Sequence, residues 1–112
     1  MKTVLRKLVR DRIPLLIQDS GNESVTRILD DTEYLQELKK KLSEEAAEVS
    51  ATTDRAKLME ELADVLEVAE AIRKQAGISD RELQICRNTK AEKNGRFEKK
   101  IFLECIIENK NS

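Results

Sequence analysis

The fold is decided by residues 44–64, EEAAEVSATTDRAKLMEELAD, which hold two acidic clusters in helical patterns with a short polar break between them. Positions three apart lie about 60° apart on a helix, so Glu45 and Glu48 form one carboxylate pair and Glu61 and Asp64 form a second. The pairs can face each other only if the two helices fold back as a hairpin. Four carboxylates in a water-poor groove repel one another unless three take up protons or find a cation. The pattern therefore predicts a helical hairpin that binds a divalent metal ion.

The available side chains restrict which metal this is. The chain has no histidine, and its two cysteines, Cys86 and Cys105, are not at a paired thiolate spacing. Carboxylate oxygens suit Mg²⁺, with Mn²⁺ as a substitute, whereas structural zinc and non-haem iron sites normally use imidazole or thiolate. The absence of histidine also excludes the ferritin-like Glu-x-x-His pattern. The alternative is a solvated acidic face, since Glu favours helix and charge runs are usually exposed.

The position of the acidic residues around each helix favours the metal site. Glu45 falls at the edge of the apolar stripe of the first helix, with Glu48 one step further round. Glu61 falls at the edge of the second stripe, with Asp64 one step beyond it. The stripes consist of Leu35, Leu38, Leu42, Ala46 and Val49 on the first helix and Leu58, Leu62, Val65, Ala69 and Ile72 on the second. The residues predicted to point away are Glu44, Glu60 and Glu67.

These motifs resemble a known family. EExxE followed by ExxD, in the context KLSEEAAEV…MEELADVLE, is similar to the all-α nucleoside triphosphate pyrophosphohydrolase superfamily, the MazG-like and phosphoribosyl-ATP pyrophosphohydrolase-like proteins. The opening KLVRDRIP, residues 7–14, resembles one small branch of it. The resemblance implies that Glu45, Glu48, Glu61 and Asp64 are metal-binding and catalytic. Such proteins use these carboxylates to hold Mg²⁺ and cleave a nucleoside triphosphate to the monophosphate and pyrophosphate.

A pyrophosphohydrolase also needs cations for the phosphates. On a predicted third helix, Lys90 falls within about 60° of Leu83 and Cys86, so it lies on an otherwise apolar stripe and can point into the interior. The resemblance, through an NxK…RF pattern and the N-terminal segment, implies these substrate-binding residues: Asn88, Lys90, Lys93, Arg96, Lys7 and Arg10. The alternative for Lys90 and Lys93 is that they extend to solvent at the helix C-terminus, where cations favour the dipole.

Local signals predict the other element boundaries. Asp30 and Asp54 are expected to cap the two long helices, and Gly77 to end the second. Residues 1–12 are either an extended arm or a short helix. The predicted elements are a short helix from Pro14, a strand at 25–29, long helices over about 32–50 and from Asp54 to about 76, a third helix over about 79–93, and a terminal strand at 97–107 that pairs with 25–29.

Composition indicates one helix-rich domain, residues 1–112. With 112 residues and 39% hydrophobic content the core is modest. The chain carries 21 basic and 22 acidic residues, so it has no overall attraction to polymeric nucleic acid or to a membrane. The apolar stretch 13–17 is too short for a signal sequence or a membrane span, which makes the cytoplasm the expected location and the cysteines reduced core residues.

These observations combine into one expected architecture and activity. We expect a mainly α fold in which the hairpin packs with the third helix and, in a homodimer or dimer of dimers, with a second hairpin to close a four-helix core. Leu66 and Val68 widen the second stripe and indicate that interface. By resemblance, water attacks the α-phosphorus and Lys90 steadies the leaving pyrophosphate, which would remove non-standard or surplus nucleotides. The alternatives are a phosphoribosyl-ATP-type biosynthetic enzyme and a non-enzymatic helical interaction module.

Overall fold

The computed structural model of this protein describes residues 1–109, and all regular secondary structure in that range is helical. The helices are α1 (Ile13–Asp19), α2 (Asp31–Ala51), α3 (Arg55–Gln75) and α4 (Asp80–Asn94). The chain divides into two compact units, Met1–Ser79 with α1 to α3 and Asp80–Ser112 with α4. The mainly α prediction is confirmed, whereas the four-helix core of an oligomer stays a prediction. No helix within residues 1–109 has the length and apolar character needed to cross a membrane.

The two long helices begin at the predicted caps. The Asp30 carboxylate accepts a hydrogen bond from the Glu33 backbone N–H at 2.8 Å. The Glu33 side chain does not complete the reciprocal bond of a capping box but pairs with Arg27 at 2.9 Å. Asp54 accepts from the Lys57 N–H at 3.1 Å. Each cap satisfies one of the N–H groups that a helix start leaves without an intrahelical partner.

The first unit also shows the predicted helix ends. Gly77 follows α3 with a φ of 73°, a left-handed conformation that glycine adopts without steric cost. The Gly77 N–H bonds to the Lys74 carbonyl, and the Ile78 N–H to the Arg73 carbonyl. This is the Schellman pattern that closes a helix C-terminus. Residues 1–10 form no helix, so the short-helix alternative was wrong, and Pro14 lies in the first turn of α1.

The core of the first unit lies between α2 and α3. Leu38 of α2 is 3% exposed and Val68 of α3 is 7% exposed. The face that α3 turns toward α2 differs from the predicted stripe, because Leu62 and Ala69 are exposed while Glu61 and Val68 are buried. The packed face is therefore rotated toward Val68. Glu61 lies within this face and not at its edge.

The two predicted strands are not formed in the described residues. Residues 25–29 connect α1 and α2 without regular structure, and Val25 is 99% exposed. Residues 97–100 form a turn closed by the Lys100 N–H and the Phe97 carbonyl at 3.3 Å, which interrupts the second predicted strand. A β-branched run becomes a strand only when it pairs and buries one face. Neither segment does so here.

The second unit consists of α4 and the chain that follows it. No residue of α4 is buried. The helix ends at the predicted Asn94-Gly95 turn, where the Gly95 N–H bonds to the Ala91 carbonyl at 2.8 Å. Cys86 and Cys105 are free thiols and exposed, so the prediction that they are core residues was wrong.

Candidate functional site

The register of the α2–α3 hairpin determines which carboxylates meet. Residues 52–54 join the helices, and Thr53 is midway in sequence between Glu45 and Glu61. In an antiparallel pair, residues equally far from the middle of the turn lie level with each other. Glu45 and Glu61 therefore lie side by side, and Asp64 follows Glu61 on the neighbouring turn.

We call Glu45, Glu61 and Asp64 the carboxylate cluster. One oxygen from each residue lies within 4.8 Å of the other two. The Glu61 side chain is 8% exposed, that of Glu45 is 15% exposed and that of Asp64 is 38% exposed. The cluster therefore lies at the border of the core, with Asp64 at its open side.

The surroundings of Glu45 disfavour its charged form. Burial is the largest cause that raises its pKa above the ordinary value, followed by the negative charge of Asp64. Lys41 acts in the opposite direction, and Glu61 raises the pKa further through its charge and a hydrogen bond. Like charges in a partly dry site hold protons more tightly than isolated carboxylates do. Glu45 accordingly favours the binding of either a proton or a cation.

Each member of the cluster has one basic partner. The three pairs are Arg10 Nη2 to Asp64 Oδ1 at 2.6 Å, Lys57 Nζ to Glu61 Oε1 at 3.4 Å, and Lys41 Nζ to Glu45 Oε1 at 3.7 Å. The Lys57 pKa is raised, chiefly by its hydrogen bond to Glu61 and then by the charge of that residue. The protein's own side chains thus supply positive charge, which the sequence pattern had indicated would come from a metal ion. A metal ion entering the cluster would compete with them.

Two of these partners were not predicted from the sequence. Lys41 and Lys57 each lie four residues before a cluster glutamate, a spacing at which helical side chains meet, so the signal was present in the sequence. The Arg10–Asp64 pair joins positions 54 residues apart. No local pattern indicates such a contact, and Arg10 was predicted as a site residue only through the family resemblance.

Glu48 lies outside the cluster. It is exposed, and it is closer to the hairpin turn than Glu45, level with Leu58 of α3. Its charge contributes to the raised pKa of Lys57 but is the last of the causes. The structure brings together three of the four predicted metal ligands. The three acidic residues predicted to point away, Glu44, Glu60 and Glu67, are exposed.

The predicted phosphate contacts fall in both units. In the first unit, Arg10 pairs with the cluster and Lys7 is exposed on the N-terminal segment. In the second unit, Asn88, Lys90 and Lys93 are exposed on α4 and Arg96 follows its end. Leu83 and Cys86 share the predicted stripe with Lys90, and both are exposed as well. Substrate binding by these residues stays a prediction.

The donor set of the cluster is compatible with a hard cation. Oxygens around one Mg²⁺ at ~2.1 Å lie at most about 4.2 Å apart, and the three cluster oxygens lie within 4.8 Å of one another. A small contraction would bring them to bonding distance. Mg²⁺ and Mn²⁺ bind a few carboxylates and fill the remaining positions with water or substrate oxygens. Glu45, Glu61 and Asp64 could hold such an ion.

Comparisons with known proteins do not assign a family. No protein-family model and no solved structure matches the chain. One similar sequence is an uncharacterized protein of Mycolicibacterium smegmatis, 51% identical over 51 residues, which are 46% of this chain and 52% of that protein. The chain thus spans about half the length of the curated relative that it matches. Its function has to be argued from the site.

Proposed function

We propose that this protein is a Mg²⁺-dependent nucleoside triphosphate pyrophosphohydrolase that releases the monophosphate and pyrophosphate. The observation that carries the proposal is the convergence of Glu45, Glu61 and Asp64, an all-oxygen donor set at the border of the hairpin core. The EExxE and ExxD spacing supports the same assignment. Non-standard or surplus nucleotides are the proposed substrates.

The residues of the cluster would have different roles in binding the metal ion and the substrate. Bound Mg²⁺ would neutralise phosphate charge and activate a water for attack at the α-phosphorus. Glu45 and Glu61 are the less exposed members and would set the ion's position, while the more open Asp64 would face the substrate side. Glu48, on the same helix as Glu45, is proposed as a fourth ligand.

We also propose that the protein works as a homodimer or a dimer of dimers. Met59, Leu62 and Leu66 of α3 are 62%, 46% and 70% exposed. At spacings of three and four they share one face of the helix, and this face points away from the Glu61 and Val68 side that packs on α2. A second hairpin on this face would close the four-helix core.

The ion pairs support a second candidate, a non-enzymatic helical interaction module. Arg10, Lys41 and Lys57 give each carboxylate of the cluster an ion-pair partner without any metal. In such a module the cluster would be structural and would ignore both Mg²⁺ and nucleotide. The two candidates therefore differ in metal binding.

The test incubates the protein with a panel of standard and modified nucleoside triphosphates and Mg²⁺, and measures pyrophosphate separately from phosphate. We expect pyrophosphate release by the wild type and none by Glu61→Gln, because Glu61 is a buried member of the cluster. Glu67→Gln is the matched control, since Glu67 is exposed on the same helix. Equal turnover by the two variants would refute the site, and no turnover by the wild type on any nucleotide would favour the interaction module.

A further inference from the structure

We propose that a basic cavity between the N-terminal segment and α2 binds a polyphosphate anion. The cavity has a volume of about 160 Å³ and is lined by residues 5–8 on one side and by one face of α2 on the other. Its cationic residues are Arg6, Lys7, Lys40 and Lys41. The cavity is distinct from the carboxylate cluster. Its assignment to the phosphate chain of a nucleotide rests on the proposed function.

The charge of the cavity favours an anion. Its lining holds four cationic side chains against two carboxylates, those of Glu37 and Glu44. Within residues 1–109, Arg6, Lys7 and Lys40 form no ion pair. Several cations that converge on a concave surface without partners create a positive potential that attracts anionic ligands.

The backbone at Arg6 supports a binding role for that residue. Its φ is 47°, in the left-handed region that residues with a Cβ rarely occupy. Backbone conformations of this kind are found preferentially where the chain forms a ligand site. The guanidinium of Arg6 offers a planar set of N–H donors that matches two phosphate oxygens at once.

The cavity adjoins the carboxylate cluster. Lys41 lines the cavity and also pairs with Glu45, one helical turn further along α2. On the opposite wall, Arg6 precedes Arg10 by four residues, and Arg10 pairs with Asp64. A phosphate chain in the cavity would therefore have one end near the carboxylates that we propose hold the metal.

The cavity is large enough for only part of a nucleotide. Pockets that enclose a whole small molecule measure about 300–1,000 Å³, whereas this cavity measures about 160 Å³. It is also lined mainly by charged side chains and contains no aromatic residue on which a base could stack. The phosphate chain is the part of a nucleotide that this chemistry recognises.

The experiment measures binding of inorganic tripolyphosphate to the full chain by calorimetry in EDTA, so that no divalent metal takes part. We expect wild-type binding that weakens with salt, and a loss of about tenfold in affinity in both Arg6→Gln and Lys40→Gln, because each removes a charged hydrogen-bond donor. Arg12→Gln and Lys39→Gln are matched controls, since both are exposed, remove the same charge and lie outside the cavity. Both controls are expected to bind like the wild type.

Other outcomes would overturn the inference. Absence of tripolyphosphate binding, an equal loss in the controls, or sulfate binding as tight as that of tripolyphosphate would each do so. If the wild type hydrolyses nucleotides while Arg6→Gln and Lys40→Gln bind tripolyphosphate normally, the cavity assignment fails and the proposed function stands. If those variants lose tripolyphosphate binding in a protein that hydrolyses no nucleotide, the cavity stands and the proposed function fails.

Discussion

Glu45 is the residue at which stability and the proposed function conflict. Its side chain is partly buried beside two other carboxylates, and Lys41 compensates only in part, so its pKa remains raised. If stability alone determined the residue at this position, a neutral side chain would be expected there. A partly buried acid with like-charged neighbours is more typical of a functional site, where a bound cation or proton removes the conflict.

We predict that Glu45→Gln is as stable as the wild type or more stable at neutral pH in EDTA. The folded-state pKa of Glu45 lies above its unfolded value, near 4.5, so the folded protein binds the proton more tightly. Ionisation of Glu45 therefore destabilises the fold above the folded pKa, and this effect fades as the pH falls toward 4.5. Thermal unfolding followed by circular dichroism at pH 7 and near pH 4.5 measures it.

The control for this prediction is Glu44→Gln, because Glu44 is exposed on the same helix. We expect its melting temperature to follow that of the wild type at both pH values. A Glu45→Gln protein that melts well below the wild type at pH 7 would show that the Lys41 ion pair outweighs burial and repulsion.

Arg10 provides the second prediction at this scale. Since Arg10 pairs with Asp64 at 2.6 Å, a metal ion that binds Asp64 has to compete with the guanidinium. We predict that Arg10→Gln binds Mg²⁺ about two- to fivefold more tightly in the absence of nucleotide, as expected from breaking an exposed ion pair. Calorimetric titration with Mg²⁺ tests this, with Arg12→Gln as the control. Unchanged or weaker Mg²⁺ binding by Arg10→Gln would contradict it.

At the scale of elements, the α2–α3 hairpin depends on few buried side chains. Leu38 is 3% exposed and packs in the α2–α3 interface. We predict that Leu38→Ala lowers the free energy of unfolding by about 2–5 kcal/mol, since it leaves a cavity as well as losing apolar burial. Urea unfolding followed by circular dichroism measures this loss. Ile28→Ala is the control, because Ile28 is 95% exposed, and a loss of comparable size there would show that Leu38 is not central to the core.

The helices and their caps were predictable because their signals are local. Asp30, Asp54 and Gly77 act within a few residues of the helix ends that they define. The strand predictions were wrong because a strand needs a partner, and neither 25–29 nor 97–107 forms one within the described residues. The β-branched composition of a segment does not say whether pairing occurs.

The face of α3 was only partly predictable for a related reason. Apolar side chains lie on two sides of this helix, and the sequence pattern alone does not say which side packs on α2. Packing on α2 buries the side that carries Val68 and Glu61, and leaves Leu62 exposed. The motif spacing located three of the four proposed ligands in one cluster, but the hairpin register that leaves Glu48 outside it depends on where the turn lies.

At the scale of the whole molecule, the second apolar face of α3 is the main feature that the single chain leaves unexplained. Only two hydrophobic side chains in the described residues, Leu38 and Val68, are buried. Met59, Leu62 and Leu66 meanwhile form an exposed row on one helix. Small domains with so little buried apolar surface are marginal by themselves, and contiguous exposed apolar rows typically mark interfaces. A second copy of the hairpin offers a self-complementary cover for this row.

We therefore predict that the wild type is a dimer or a dimer of dimers in solution and that Leu66→Lys dissociates it. Leu66 is 70% exposed in the single chain, so the substitution should leave the hairpin folded while placing a charge in the proposed interface. Val68 is unsuitable for this test, since it is 7% exposed and a lysine there would disrupt the hairpin itself. Glu67→Lys adds the same side chain at a neighbouring exposed position and serves as the control. Light scattering at micromolar concentration measures the oligomeric state, and circular dichroism confirms that the variants stay helical. A folded monomer for Leu66→Lys beside an intact Glu67→Lys oligomer would support the interface. A monomeric wild type with full activity would refute it, because the four-helix core would then be unnecessary for function.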